Sequence, residues 1–105
     1  MKIAFLPAAQ AELDDAFSWY EEQAIGLGNE FLDEFDQTLR LIATFPELHP
    51  LVDKKVRRCL INRFPYGVFY GIADETIIVI AVAHLKRKPS YWAHRKGSRG
   101  KGPRQ

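Results

Sequence analysis

Three apolar runs between Val56 and His84 dominate the second half of the chain. They are six to nine residues long, rich in β-branched and aromatic side chains, and separated by the turn-forming segments Asn62–Pro65 and Ala73–Glu75. Runs of this length between turn formers are typical of consecutive antiparallel strands. The third run, Thr76–Ala83, has no polar residue after Thr76, so both of its faces need a cover and it should lie inside the sheet. The segment therefore predicts a three-stranded meander on which the rest of the chain packs.

The first half of the chain predicts a short strand followed by a helical hairpin. Lys2–Leu6 is an apolar run that ends at Pro7, a residue suited to the first turn of a helix because its missing N–H has no partner there. Apolar residues then recur at spacings of three and four along two stretches, which indicates two amphipathic helices. Gly26–Asn29 separates the stretches, and we expect Asn29 to cap the second helix and Pro46 to end it.

We predict an α+β fold with the N-terminal strand and the helical hairpin packed on a three- to four-stranded antiparallel sheet. A short C-terminal helix, opened by Pro89, should return across the other sheet face. Residues 1–95 form the single domain, and residues 96–105, rich in glycine and basic side chains, are expected to be a disordered tail. The expected core residues are Leu13, Phe17, Phe31, Phe35, Leu39, Val68, Tyr70, Ile78, Ile80 and Val82.

Charge is divided unevenly along the chain. Residues 1–53 contain two basic and eleven acidic side chains, whereas residues 54–105 contain thirteen basic and two acidic ones. Such a division suggests that the sheet side of the domain meets an anionic partner. The alternative is a solvated basic face.

The number and spacing of cysteine, histidine, glycine and apolar residues bear on the compartment of the protein and on its cofactors. Cys59 is the single cysteine and sits in an apolar run, so we interpret it as a core residue of a protein in a reducing, cytoplasmic setting. No apolar run approaches membrane-spanning length, and we expect no membrane association. The three histidines lack ligand spacing and no glycine-rich phosphate loop is present, so we expect no metal ion or cofactor.

The candidate chemical residues lie near the end of the third run. Lys86, Arg87 and Lys88 are three consecutive cations suited to phosphate oxygens, His84 can titrate near neutral pH, and Tyr91 can donate a proton. In the second run, Phe69 lies between Gly67 and Gly71 on one face, so this face predicts either an open floor for a partner or a local thinning of the sheet. Two further cations of the basic half, Arg57 and Arg63, lie at either end of the first run.

Two segments carry a resemblance to a known family. Arg63-Phe64-Pro65-Tyr66-Gly67-Val68-Phe69-Tyr70 and His84-Leu85-Lys86-Arg87-Lys88-Pro89-Ser90-Tyr91-Trp92, following a strand and an acidic hairpin, resemble the RelE/ParE toxins of type II toxin–antitoxin systems, also called plasmid stabilisation proteins. The resemblance covers about residues 1–95. It implies a growth-inhibiting toxin and, as its partner, a cognate antitoxin that folds on binding.

The resemblance implies two alternative targets. One branch of the family is a metal-independent endoribonuclease that cleaves mRNA on the ribosome with arginines, lysines and a tyrosine; the other poisons DNA gyrase. By this resemblance Arg63, Arg87 and Tyr91 are candidate catalytic residues, and His84 is a further candidate by its own chemistry. Arg57, Lys86, Lys88 and Phe69, which belong to the basic half of the chain, are candidates for binding a partner or nucleic acid. The cleaving branch has an arginine directly after the tyrosine that is here Tyr66, and this chain has Gly67 there. The alternative to a toxin is a non-catalytic nucleic-acid-binding or adaptor domain.

Overall fold

The computed structural model describes residues 1–88 and 90–95. In chain order the elements are β1 (Lys2–Phe5), α1 (Pro7–Gln23), α2 (Leu27–Thr44), β2 (Arg57–Leu60), β3 (Tyr66–Ala73) and β4 (Thr76–His84). A last helical turn occupies 93–95. The strands form one sheet in the order β1-β4-β3-β2. Within the described residues, no helix combines the length and apolar character needed to cross a membrane.

The sheet is mixed rather than wholly antiparallel. β2, β3 and β4 form the predicted antiparallel meander, and the apolar β4 lies inside the sheet as expected. β1 pairs with the free edge of β4 in the parallel direction, from Lys2 opposite Thr76 to Phe5 opposite Val79. Its direction depends on how the hairpin returns the chain to the sheet, which the four residues of β1 do not encode.

A β-bulge in β4 lets neighbouring residues of this strand pack in the hydrophobic clusters on both faces of the sheet. Phe69 pairs with Ala81 and Tyr70 with Val79, so Ile80 is an extra residue in the ladder. As a result, Ile80 and Ala81 both pack in the cluster on the outer sheet face, while Val79 and Val82 pack in the cluster on the helix face.

The helical hairpin depends on Gly28 and Glu21. A Cβ on Gly28 would lie 2.8 Å from the carbonyl oxygen and ring carbons of Phe17, so only glycine permits this approach of the helices. The Glu21 carboxylate accepts hydrogen bonds from the backbone N–H groups of Gly26 and Gly28, at 2.9 and 3.0 Å. The prediction that Asn29 caps α2 is therefore wrong: the helix begins earlier, at Leu27, and its first N–H groups bind a carboxylate from α1.

Two hydrophobic clusters cover the two faces of the sheet. The larger lies beneath the hairpin and contains Leu13, Phe31, Phe35, Val68 and Tyr70, as predicted, whereas Phe17 and Leu39 are only half-buried. The smaller cluster lies on the outer face, where Trp92 packs on Phe69 with the ring centroids 5.3 Å apart.

Two of the predicted core residues, Ile78 and Ile80, belong to the cluster on the outer face of the sheet. The terminal segment, residues 90–95, returns across the outer face as predicted, whereas Pro89, predicted to open its helix, lies outside the described residues. The predicted tail, residues 96–105, lies outside the described residues, so the division at residue 95 stays a prediction.

Candidate functional site

Glu12 on α1 joins the terminal segment to the sheet. Beyond Val79, β4 has no strand partner on its β1 side, so the backbone there needs other hydrogen-bond partners. Glu12 accepts a hydrogen bond from the Val82 N–H at 3.0 Å, and Arg95 donates one to the Ile80 carbonyl at 3.1 Å. Arg95 also donates to both Glu12 carboxylate oxygens, at 2.9 and 3.0 Å. One ion pair thus completes the strand edge and fixes the position of the C-terminal segment.

Tyr91 is held in this network through its hydroxyl and its ring. The hydroxyl donates to Glu12 at 2.6 Å, and the Arg87 guanidinium lies over the ring at 3.9 Å from its centroid. Burial, together with the Glu12 carboxylate, raises the pKa of Tyr91 well above its ordinary value. Tyr91 therefore keeps its proton at neutral pH and cannot act as a base.

His84 is fixed in a similar way. Its Nδ1 accepts a hydrogen bond from the Lys86 N–H at 3.0 Å, and its ring lies edge-on to Tyr66 with the centroids 5.2 Å apart. Because Nδ1 is the acceptor, the neutral ring carries its proton on Nε2, which is then a donor. In this arrangement His84 presents Nε2–H as a hydrogen-bond donor, and its Nδ1 lone pair is engaged by the Lys86 N–H.

These residues surround a small cleft, here called the basic cleft, between the outer sheet face and the terminal segment. Its volume is about 150 Å³, and its polar lining consists of Arg58, His84, Arg87, Lys88, Ser90 and Tyr91. No carboxylate is among its described lining residues. Its electrostatic character is therefore cationic without internal compensation.

Arg58 is the residue of the basic cleft that the sequence candidates omitted. It faces outward from β2 and its stem lies over Gly67, where an added Cβ would meet the Arg58 Cγ at 3.3 Å. Its Nε is buried and finds no hydrogen-bond partner among the described residues. The period of two groups Arg58 with Val56 and Leu60, but only the sheet register places it opposite Phe69, so the sequence alone did not put it at the cleft.

The structure separates the other candidates. Arg63, with φ of 73°, turns toward α2 and pairs with Glu30 at 2.8 Å and Glu34 at 3.9 Å. Arg57 donates to the His49 carbonyl at 2.7 Å beside the loop that follows α2. Neither lines the basic cleft, so the structure brings Arg87, Tyr91 and His84 together and places Arg63 and Arg57 elsewhere.

The predicted binding residues also divide. Lys88 lines the basic cleft, whereas the exposed Lys86 lies beside it. Phe69 lines the cleft but is half-buried under Trp92, and a Cβ on Gly71 would contact the Lys55 carbonyl at 3.4 Å. The predicted open floor is thus covered by the terminal segment and by the loop before β2. Within the described part of the chain, no group of three or more His, Cys, Asp or Glu side chains is placed to hold a metal ion.

A strand, a helical hairpin, a meander and a terminal segment bound across the outer face define the α+β fold of this chain. The chain belongs to the ParE toxin family of type II parDE toxin–antitoxin systems, whose family model matches residues 3–89. The predicted RelE/ParE resemblance is thereby confirmed.

A solved structure supports the fold. The structure described as the chromosomal ParDE toxin–antitoxin system from P. aeruginosa matches with a TM-score of 0.68 at 16% identity, over 80% of this chain and 95% of that chain. No curated protein matches the sequence.

Proposed function

We propose that this chain is the growth-inhibiting toxin of a toxin–antitoxin module, and that it poisons DNA gyrase without itself cleaving nucleic acid. Membership of the ParE family supports the toxin role. The choice of target is carried by one observation: of the two proton-transfer candidates at the basic cleft, Tyr91 directs its proton to Glu12 and His84 accepts the Lys86 N–H at Nδ1, so neither presents an unengaged base.

Cleavage through a 2′-hydroxyl needs a group that accepts the hydroxyl proton. Tyr91 donates to Glu12 and has a raised pKa, and the Nδ1 of His84 is occupied by Lys86. Arg63 is held on the hairpin side by Glu30. Among its described lining residues, the basic cleft supplies cations that stabilise negative charge and no base free of a hydrogen bond, which favours binding over hydrolysis and the gyrase branch over the ribonuclease branch.

We further propose that a cognate antitoxin neutralises the chain in the cytoplasm, where both gyrase and nascent antitoxin are found. Opposite charge on the two partners would speed their encounter, and an antitoxin segment that folds on binding would cover the basic cleft. The free cations Arg87, Lys86 and Lys88 serve this contact, whereas Arg57 and Arg63 are engaged within the chain.

Gyrase poisoning is tested by incubating the purified chain with gyrase, ATP and supercoiled DNA, then adding detergent and protease. We expect linear DNA that requires both gyrase and the chain, because a poison traps the enzyme in its DNA-cleaved state. Omitting gyrase is the control for direct nuclease activity. Intact DNA together with cleavage of mRNA in a translating ribosome mixture would overturn the proposal in favour of the ribonuclease branch.

The toxin role itself is tested by inducing the chain with and without the neighbouring small reading frame. We expect growth arrest from the chain alone and its relief by a neighbour that co-purifies. If the chain never slows growth and binds no neighbour, the adaptor interpretation replaces the toxin.

A further inference from the structure

We propose that the basic cleft is a phosphodiester-binding site clamped by Arg58 and Arg87, through which the chain contacts a nucleic-acid backbone directly. This inference deepens the proposed function and rests on it for the source of the phosphate, which is then the DNA held by gyrase. It makes Arg58 a binding residue in a toxin that touches both the enzyme and its DNA.

Most of the arginines that the structure describes already donate a hydrogen bond from the guanidinium group. Four guanidinium groups already donate to an acceptor: Arg40 to Asp36, Arg57 to the His49 carbonyl, Arg63 to Glu30, and Arg95 to Glu12. The guanidinium groups of Arg58 and Arg87 have no acceptor within the described residues, and both line the basic cleft. Both arginines whose guanidinium groups lack a hydrogen-bond acceptor among the described residues therefore line the same cleft.

The buried Nε donor of Arg58 is energetically unfavourable while no ligand occupies the cleft. Its Nε is buried without a partner, although buried polar groups are nearly always hydrogen-bonded. Gly67 allows the Arg58 stem to lie flat on the sheet, which brings this donor to the cleft wall. An anionic oxygen entering the cleft would satisfy the donor, so ligand binding would remove an existing penalty.

The size of the basic cleft and the hydrogen-bond donors that line it fit a single phosphate group. A volume of about 150 Å³ is well below the roughly 300–1,000 Å³ typical of sites that enclose whole small molecules. It suits one charged group that projects from a longer chain. Two guanidinium groups can bind phosphate oxygens in a fork, and the Ser90 hydroxyl and the Nε2–H of His84 are additional donors.

When the antitoxin is absent, the lining of the basic cleft favours a nucleic-acid backbone over an acidic peptide. Protein partners are held mainly by aromatic anchors that fill pockets, whereas nucleic-acid binding is dominated by charge. The rings at the cleft are already occupied: Trp92 is 3% exposed and packs on Phe69, and Tyr91 lies beneath Arg87. The exposed Lys86 and Lys88 beside the two arginines extend the cationic surface along which neighbouring phosphates can lie.

The test measures binding of the full chain, made in a cell-free system, to labelled duplex DNA and to duplex RNA of the same sequence by fluorescence anisotropy. We expect Arg58→Gln and Arg87→Gln each to weaken DNA binding roughly tenfold, the effect of one lost charge-assisted hydrogen bond. Each should also lower the salt dependence of binding by about one unit of slope. The matched control is Arg40→Gln, which removes the same charge from the exposed face of α2 and should leave affinity nearly unchanged.

Arg58→Lys keeps the charge but loses the fork, so it should restore the salt slope and only part of the affinity. Thermal melting of each variant checks that it is folded. The proposal is overturned if DNA does not bind, if Arg40→Gln weakens binding as much as Arg58→Gln, or if only polyglutamate binds in an Arg58-dependent way. Stronger binding to RNA than to DNA would support the phosphate site and assign its source to RNA. Because the binding assay contains no gyrase, its failure would overturn only the assignment of the basic cleft as a phosphate site. Failure of the gyrase assay would overturn the proposed target instead.

Discussion

Glu12 shows how much structure a single side chain can organise. Its carboxylate accepts hydrogen bonds from a backbone N–H of β4, from the Tyr91 hydroxyl and from both terminal nitrogens of Arg95. The side chains of Glu12 and Arg95 are only 16% and 15% exposed, so this ion pair is shielded from water. Removing the charge from one partner leaves the other charge buried and uncompensated.

We expect Glu12→Gln to lower the free energy of unfolding by about 2–3 kcal/mol, because the amide cannot neutralise Arg95 and presents donors to other donors. Urea denaturation measures the change. Asp36→Asn is the control, since Asp36 pairs with Arg40 on the exposed face of α2 and its loss should cost less than about 0.5 kcal/mol. Equal effects of the two substitutions would contradict the account of the Glu12 network.

The same network predicts a pH dependence of stability. Burial alone would raise the pKa of Glu12, but the hydrogen bonds from Arg95, Tyr91 and Val82 outweigh burial and hold it below its ordinary value. A carboxylate with a lowered folded-state pKa stabilises the protein above its unfolded pKa, and this stabilisation is lost as the pH falls through the folded pKa. The difference in unfolding free energy between the wild type and Glu12→Gln should therefore be largest at neutral pH and shrink as the pH falls below about 4. Urea titrations across this range measure it, and a difference that grows on acidification would have the wrong sign.

Among the secondary-structure elements, the packing of the helical hairpin depends on the close approach of α1 and α2 at Gly28. Gly28→Ala would place a methyl group 2.8 Å from the Phe17 carbonyl oxygen, an atom that cannot move without moving α1. We expect a loss of about 1–3 kcal/mol in unfolding free energy, typical of overpacking. Gly71→Ala is the matched control, because its methyl group would make an ordinary contact of 3.4 Å and should change stability by less than about 1 kcal/mol. A Gly28→Ala variant as stable as Gly71→Ala would show that the helices are free to separate.

The sequence predicts the helices and strands better than it predicts how they meet in space. Alternation and turn formers suffice for the β2–β4 meander, and the spacing of three and four suffices for both helices. The parallel β1, the bulge at Ile80 and the capping of α2 by Glu21 depend on which elements meet in space. For the same reason the basic cleft was predicted only in part: His84, Arg87 and Tyr91 are close in sequence, whereas Arg58 reaches them across β3, and Glu12 does so from the first helix.

At the scale of the whole molecule, the charge division of the sequence becomes a division of surfaces. The acidic residues of the first half lie largely on the two helices, whereas the basic cleft opens on the outer sheet face. The terminal segment joins the two sides, since Glu12 of α1 holds Arg95 and Tyr91 next to the cleft. A partner that displaced this segment would disturb the cleft and the sheet edge together.

We propose that the chain arrests growth by binding at the basic cleft, whose described residues present no unengaged base, and not by cutting RNA. The most direct measurement is induction of the wild-type chain and of Tyr91→Phe in parallel cultures, with DNA breaks and transcript 5′ ends mapped in the same samples. The account predicts DNA breaks at gyrase sites, unchanged transcript ends, and growth inhibition that survives Tyr91→Phe in a variant confirmed to be folded. New 5′ ends within translated messages that disappear in Tyr91→Phe, without DNA breaks, would contradict it.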